Sequence, residues 1–286
     1  MLAQRKRIHG DDHPDTISSL NNVALLLFRK GDLELACRMC EEVLVKRRRV
    51  LGEEDPDTFV SLNNLALLFS RKGDLDSALP LYEECYASRR RVLGEDHPDT
   101  LVSQDNLALT FIRKGQSNYA LPLYEEVLSK RRHILGDDHP DTFVSLDNLA
   151  LLLFRMGEYD RALPLFELRL AKRKTILGDD HPDTLQSLNS LALLFSRKCA
   201  YDLALPLYEE CLAKRKSIMG EDSPDTLQSL SNLAVVFHNK GEYKSALSLF
   251  EECLDKCLRI LGDDHPHTKG IKRSRDVCAE KLSERK

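Results

Sequence analysis

The chain has 286 residues, 42% of them hydrophobic and 31% charged, with a formal net charge of −4. This is the composition of a soluble protein, and it supplies no global basic field to gather nucleic acid. The longest apolar runs, Val23–Phe28 and Leu149–Phe154, have about six residues, against the roughly 20 that a membrane helix needs. The opening MLAQRKRIHG lacks the apolar stretch of a secretory signal.

One step of 42 residues organises the chain. Gly10, Gly52, Gly94, Gly136, Gly178, Gly220 and Gly262 keep it, as do Pro14, Pro56, Pro98, Pro140, Pro182, Pro224 and Pro266, with no insertion or deletion between them. Self-similarity at such a period marks a stack of supersecondary units. Residues 1–9 match the end of a second helix, so the chain opens in mid-repeat and reads as a piece of something longer. Six units follow, over 10–51, 52–93, 94–135, 136–177, 178–219 and 220–261, and the whole of 1–286 is expected to form a single solenoid.

Each unit reads as two helices. In the unit 94–135, Pro98 suits the first turn of a helix A, where a missing N–H costs nothing, and Asp99 suits the positive end of its dipole. Leu101, Leu107, Ala108 and Phe111 recur at helical spacing, and Gly115 ends the helix because glycine accepts left-handed backbone. Helix B, expected over about 116–134, has an apolar face of Ala120, Leu121, Tyr124, Val127 and Leu128 and a basic last turn of Lys130, Arg131 and Arg132. One pair cannot bury its own apolar face, so pairs must stack. Two departures stand out: Cys199 takes the turn-glycine slot, and Arg169 takes a Val/Cys core slot, which predicts irregular packing in the fourth pair. Residues 262–286 stand where a seventh helix A would begin. There NLALL gives way to RSRDVCA, a polar capping helix and a natural end to the stack.

The run NLALL, a Gly-Asp or Gly-Glu turn, ALPLYEE and the RRxxLGxDHPDT link resemble the 42-residue tetratricopeptide repeat of kinesin light chains and nephrocystin-3-like proteins, over about residues 1–268. The resemblance implies an all-α fold: a right-handed superhelical solenoid of antiparallel helix pairs, whose concave groove, lined by the A helices, accepts an extended or helical peptide. The heptad coiled coil that joins kinesin light chains to their motor is absent from this sequence, so motor attachment does not carry over.

Stacking turns sequence columns into surface rows. Asn22, Asn64, Asn106, Asn148 and Asn232 form one column, with Ser190 as the exception. Asparagine is a poor helix-interior residue, and its amide offers both a donor and an acceptor to a peptide backbone. The same amide could equally bond a neighbouring repeat. One residue earlier lie Asn21, Asn63, Asp105, Asp147, Asn189 and Ser231, a more varied column that makes the middle of the groove acidic. Two turns after the asparagines lie Arg29, Arg71, Arg113, Arg155 and Arg197, then Asn239. These arginines are either a row that draws an acidic peptide or solvated helix ends. Leu25, Leu67, Leu109, Leu151, Leu193 and Val235 lie between, as groove lining or as core.

Signals that suggest chemistry have simpler readings. The HPD histidines His13, His97, His139 and His181 recur once per unit, on helices packed on the order of 10 Å apart, too far to share a metal whose ligands sit about 2 Å away. Asp55 and Ser223 replace them elsewhere, which fits helix capping. Cys37 and Cys40 form a CxxC, yet they fill the core slots of Leu79 and Tyr82; Cys85, Cys211 and Cys253 likewise share a core slot with Val43 and Val127. No P-loop, GxGxxG or GxSxG is present. The KRRR-type stretches Lys46–Arg49 and Ser88–Arg91 read as surface partners of the acidic linkers. The reading is a non-catalytic, cytoplasmic scaffold with protein or peptide partners, no cofactor and no metal, and no binding to nucleic acid or membrane. The alternative is a sensor segment of a larger signalling ATPase.

Overall fold

The computed structural model describes residues 2–284. Among these residues the chain forms α-helices and no strand: α1 (Leu2–His9), α2 (Pro14–Lys30), α3 (Leu33–Val50), α4 (Pro56–Lys72), α5 (Leu75–Leu93), α6 (Pro98–Arg113), α7 (Ser117–Leu135), α8 (Pro140–Met156), α9 (Tyr159–Leu177), α10 (Pro182–Arg197), α11 (Tyr201–Met219), α12 (Pro224–Lys240), α13 (Tyr243–Leu261) and α14 (Pro266–Ser283). Even-numbered helices are the A helices of the repeat; odd-numbered ones are the B helices. The chain divides into two compact units, Met1–Leu152 and Leu153–Lys286.

Local chemistry sets most helix ends as expected; the exception is Ser223, which stands at the start of α12 with no capping bond from its hydroxyl. His13, His97, His139, His181 and His265 each accept, through Nδ1, the backbone N–H two residues on, at 3.1–3.2 Å. Asp55 does the same through its carboxylate at 2.8 Å. The HPD histidines are therefore N-caps. At the other end of helix A, Gly31, Gly73 and Gly241 take left-handed backbone, with φ near +90°. Cys199 occupies that slot after α10 with φ +58°, a conformation that costs a side-chain-bearing residue about 1–2 kcal/mol. The B helices continue through Pro80, Pro122, Pro164 and Pro206.

Close packing within each pair rests on two alanines. Ala24/Ala36, Ala66/Ala78 and Ala108/Ala120 in the first unit are fully buried, as are Ala192/Ala204 and Ala234/Ala246 in the second. A side chain of one carbon lets the two backbones approach. A leucine at Ala108 would overpack the contact, at about 1–3 kcal/mol. Larger apolar groups close the space around these alanines. In the first unit Phe59, Leu62 and Leu68 pack with Cys37, Cys40 and Cys85; in the second, Tyr208, Leu230 and Phe250 pack with Cys253 and Ile271. The five cysteines assigned to core slots are buried.

Arg169 is buried as its slot requires, with its guanidinium carbon 4.9 Å from the centre of the Phe166 ring, a distance at which the ring face attracts a cation. The α9 helix thus carries a charged group where α5 and α11 carry Cys85 and Cys211.

Candidate functional site

One column of arginines has a role opposite to that expected of it. Arg47, Arg89, Arg131 and Arg215 lie in the basic runs at the ends of B helices, yet are only 2–6% exposed. The expected surface placement of Arg47 and Arg89 is therefore corrected, although Arg47 does pair with the linker carboxylate of Asp57 at 3.5 Å. Each reaches into the next A helix, donating to a serine hydroxyl (Ser61, Ser103, Ser145, Ser229) at 2.6–2.9 Å. Each also donates to the backbone carbonyl of the aspartate that follows the proline, at 2.7–3.4 Å. Arg5 and Arg173 make the same pair of bonds, to Asp15/Ser19 and Asp183/Ser187. Fixed oxygens thus accept two hydrogen bonds from each of these guanidiniums, although Nε of Arg215 is buried without a partner. The clue in the sequence was the serine, a weak helix former kept at six successive positions. The neighbours Arg48, Arg49 and Arg91 do pair at the surface, with Glu84, Asp12 and Glu54.

The asparagines form ladders between successive A helices. Asn106 Nδ2 donates to Asn63 Oδ1 at 2.9 Å, and Asn64 reaches Asn21 at 3.5 Å, both in the first unit. In the second, Asn232 donates to Asn189 at 3.0 Å. Asn21 and Asn189 are buried, Asn63, Asn64, Asn106, Asn148 and Asn232 are half-buried, and Asn22 is exposed. The acidity expected at Asp105 is turned inward: its carboxylate lies 2.7 Å from Arg131. Burial outweighs the pull of Arg131 and raises this carboxyl to about 6.

The outward face of each A helix is made by positions four before, three after and seven after the asparagine column. In the first unit these are Val60, Leu67 and Arg71 on α4, Val102, Leu109 and Arg113 on α6, and Val144 and Leu151 on α8. The valines and the leucines Leu109 and Leu151 are 38–51% exposed and so are surface, whereas Leu25, Leu67 and Leu193 are half-buried and Leu193 packs against the core of the second unit. The valine row was not singled out from the sequence, because a valine on a helix gives no sign of which way it faces. In the second unit the face carries Arg155 on α8, Gln186, Leu193 and Arg197 on α10, and Gln228, Val235 and Asn239 on α12.

All five arginines of the row, Arg29, Arg71, Arg113, Arg155 and Arg197, are exposed. The following lysines are held by the preceding B helix, Lys72 by Glu34 and Lys114 by Asp76, each at 2.6 Å, and Lys240 by Asp202 at 3.0 Å. Arg113 donates to Ser70. Among the described residues, Arg29, Arg71, Arg155 and Arg197 make no ion pair.

Paired helices on a 42-residue step, alanines at each pair's contact and apolar helix faces left to solvent describe one kind of repeat, and comparison with known proteins agrees. Tetratricopeptide repeat family profiles match residues 15–91, 70–132 and 106–175, and again 184–225 and 226–267. The chain belongs to the tetratricopeptide repeat family. Among solved structures it is similar to a Podosopora anserina protein described as a kinesin light chain with nearly identical TPR-like repeats. Identity is 27% and the TM-score 0.65, over 72% of this chain and 98% of that one. BtubC (BKLC) from P. vanneervenii aligns at 22% identity and TM-score 0.64, over 82% and 94% of the two chains. A tetratricopeptide repeat protein from Parabacteroides merdae aligns at 16% identity and TM-score 0.61, over 93% and 97%. No curated protein matches. Tetratricopeptide repeats are typically non-catalytic scaffolds for protein–protein interaction. No described helix is long and apolar enough to cross a membrane.

Proposed function

We propose that this tetratricopeptide repeat chain is a non-catalytic scaffold that binds peptide segments of partner proteins along the outward faces of its A helices. The supporting observation is the composition of that face in the first unit. Exposed Val60, Val102, Val144, Leu109 and Leu151 lie beside half-buried Asn64, Asn106 and Asn148 and exposed Arg71 and Arg113. Apolar rows flanked by amides and guanidiniums suit a short helix or strand with apolar anchors, and guanidiniums without a carboxylate partner favour acidic residues in it. The likeness to a kinesin light chain repeat structure extends this reading to adaptor-type binding of cargo peptides.

The test is a peptide-array screen of the whole chain, repeated with Arg71→Glu and Arg113→Glu together. Both side chains are exposed, so folding should persist, and capture of acidic peptides should be lost. Capture that is indifferent to the double reversal would remove the arginine row from the site. The triple change of Asn64, Asn106 and Asn148 to alanine should also weaken capture. Since Asn64 and Asn106 link neighbouring repeats, a melting curve must accompany that measurement.

A further inference from the structure

The arginine link between repeats is made in the same way at every junction but one. Arg5, Arg47, Arg89, Arg131, Arg173 and Arg215 each meet an aspartate carbonyl and a serine. Between α13 and α14, all three positions change together: Cys257 stands in the arginine column, His267 in the aspartate column and Ile271 in the serine column. Cys253, one turn before Cys257, belongs to the core cysteine column. Its counterparts Cys85 and Cys211 lie 3.6 and 3.7 Å from the hydroxyls of Ser103 and Ser229. Ile271 offers no hydroxyl; Cys253 keeps only the backbone contact of its column, donating to the Leu227 carbonyl at 3.6 Å.

The result is a cluster that the other junctions cannot form. One ligand atom from each of Cys253, Cys257 and His267 lies within 4.8 Å of the others. Both cysteines are fully buried and His267 is half-buried. The i, i+4 spacing sets both sulfurs on one face of α13, and His267 closes the set from the first turn of α14. Burial and the neighbouring His265 hold the His267 imidazole below the usual histidine range.

The geometry points to a binding site for a thiophilic divalent cation of the zinc class, held by Cys253 Sγ, Cys257 Sγ and a ring nitrogen of His267. Two thiolates and an imidazole are ligands that zinc prefers, and three protein ligands leave a fourth coordination position to water. Metal ligation takes each cysteine as a thiolate, so binding one cation to the two thiols releases two protons. The ion would do for α14 what arginine does at the other junctions, tying the last A helix to the B helix before it. That helix needs such a tie, because it buries only Thr268, Ile271 and Cys278.

The test uses the reduced full chain after chelation, titrated with cobalt(II) chloride and then zinc(II) chloride. Cobalt should bind one per chain with a thiolate-to-metal charge-transfer band, which zinc should bleach while raising the melting temperature. The informative variant combines Cys257→Arg, His267→Asp and Ile271→Ser. It restores the link used at every other junction and should fold, yet lose both the band and the zinc-dependent rise. Absence of the band in the unaltered chain would overturn the proposal. So would its survival in the triple variant, as expected if Cys37 and Cys40 held the ion. Replacing His265, which caps α14, with serine should leave the band intact; its loss would place the imidazole ligand at the wrong residue.

Discussion

The two compact units share one fold but differ on the face they present and at the junctions that hold them. In the first, the outward positions of α4, α6 and α8 carry Val60, Val102 and Val144; in the second, the same column on α10 and α12 carries Gln186 and Gln228. The links differ too. In the first unit Arg47, Arg89 and Arg131 are buried and Arg5 is half-exposed. In the second, Arg215 is buried, Arg173 is half-exposed, and the last junction has no arginine. The alanines at the pair contacts, the capping residues and the 42-residue step are common to both. A repeat can therefore change its surface freely, while a change in the link must be matched on the next repeat.

The largest effect expected from breaking this comparison is at the buried links. Arg89→Met removes two charge-assisted hydrogen bonds and leaves the Ser103 environment without its cation. It should cost about 2–4 kcal/mol, read from the urea midpoint. Arg173→Met, at a half-exposed link, should cost about half as much. Equal losses would mean that burial does not set the strength of the link.

Next comes the acidic partner of the first unit. The Asp105 carboxyl is raised to about 6 in the folded chain by burial, above the ordinary aspartate value near 3.9. Between these values the unfolded chain has lost a proton that the folded chain keeps, so stability falls as pH rises from about 4 to 6. Across that window the contribution should fall by about 2 kcal/mol. Asp105→Asn, the residue found at Asn63 and Asn189, should flatten the dependence. Parallel pH profiles for the two proteins would contradict the placement of Asp105.

Smaller still is the turn after α10. Cys199→Gly gives this turn the residue that Gly31, Gly73 and Gly241 supply elsewhere and relieves the left-handed strain. Less the extra freedom gained by the unfolded chain, it should stabilise by about 0.5–1 kcal/mol in thermal melts. The smallest effect on stability, within about 0.5 kcal/mol, belongs to the exposed exchange Val102→Gln, which gives the first unit the residue of the second at this column. On the proposed function, the exchange should nevertheless weaken peptide capture by the first unit. Unaltered capture would show that the valine row does not touch the peptide.

Much of the fold was legible because each signal is local. A proline at the first turn, a histidine or aspartate just before it and a glycine after the last turn act on their own backbone and need no distant partner. The groove face was legible only in part. The phase of the helix sets Asn64, Leu67 and Arg71 near one another, but their exposure depends on how neighbouring helices lean. Leu109 could have been core and is half open, whereas Asp105 could have faced a ligand and pairs with Arg131.

The 42-residue step, the helix pairs, the caps and the core role of the cysteines followed from the amino acids alone, because backbone preference and apolar periodicity are properties of short segments. The inward turn of Arg47, Arg89 and Arg131 from within basic runs was decided only by tertiary structure. So was the meeting of Cys253 and Cys257 with His267. A charged side chain is buried or solvated according to whether the next repeat offers it oxygens. That provision comes from another helix and cannot be read from the residues on either side.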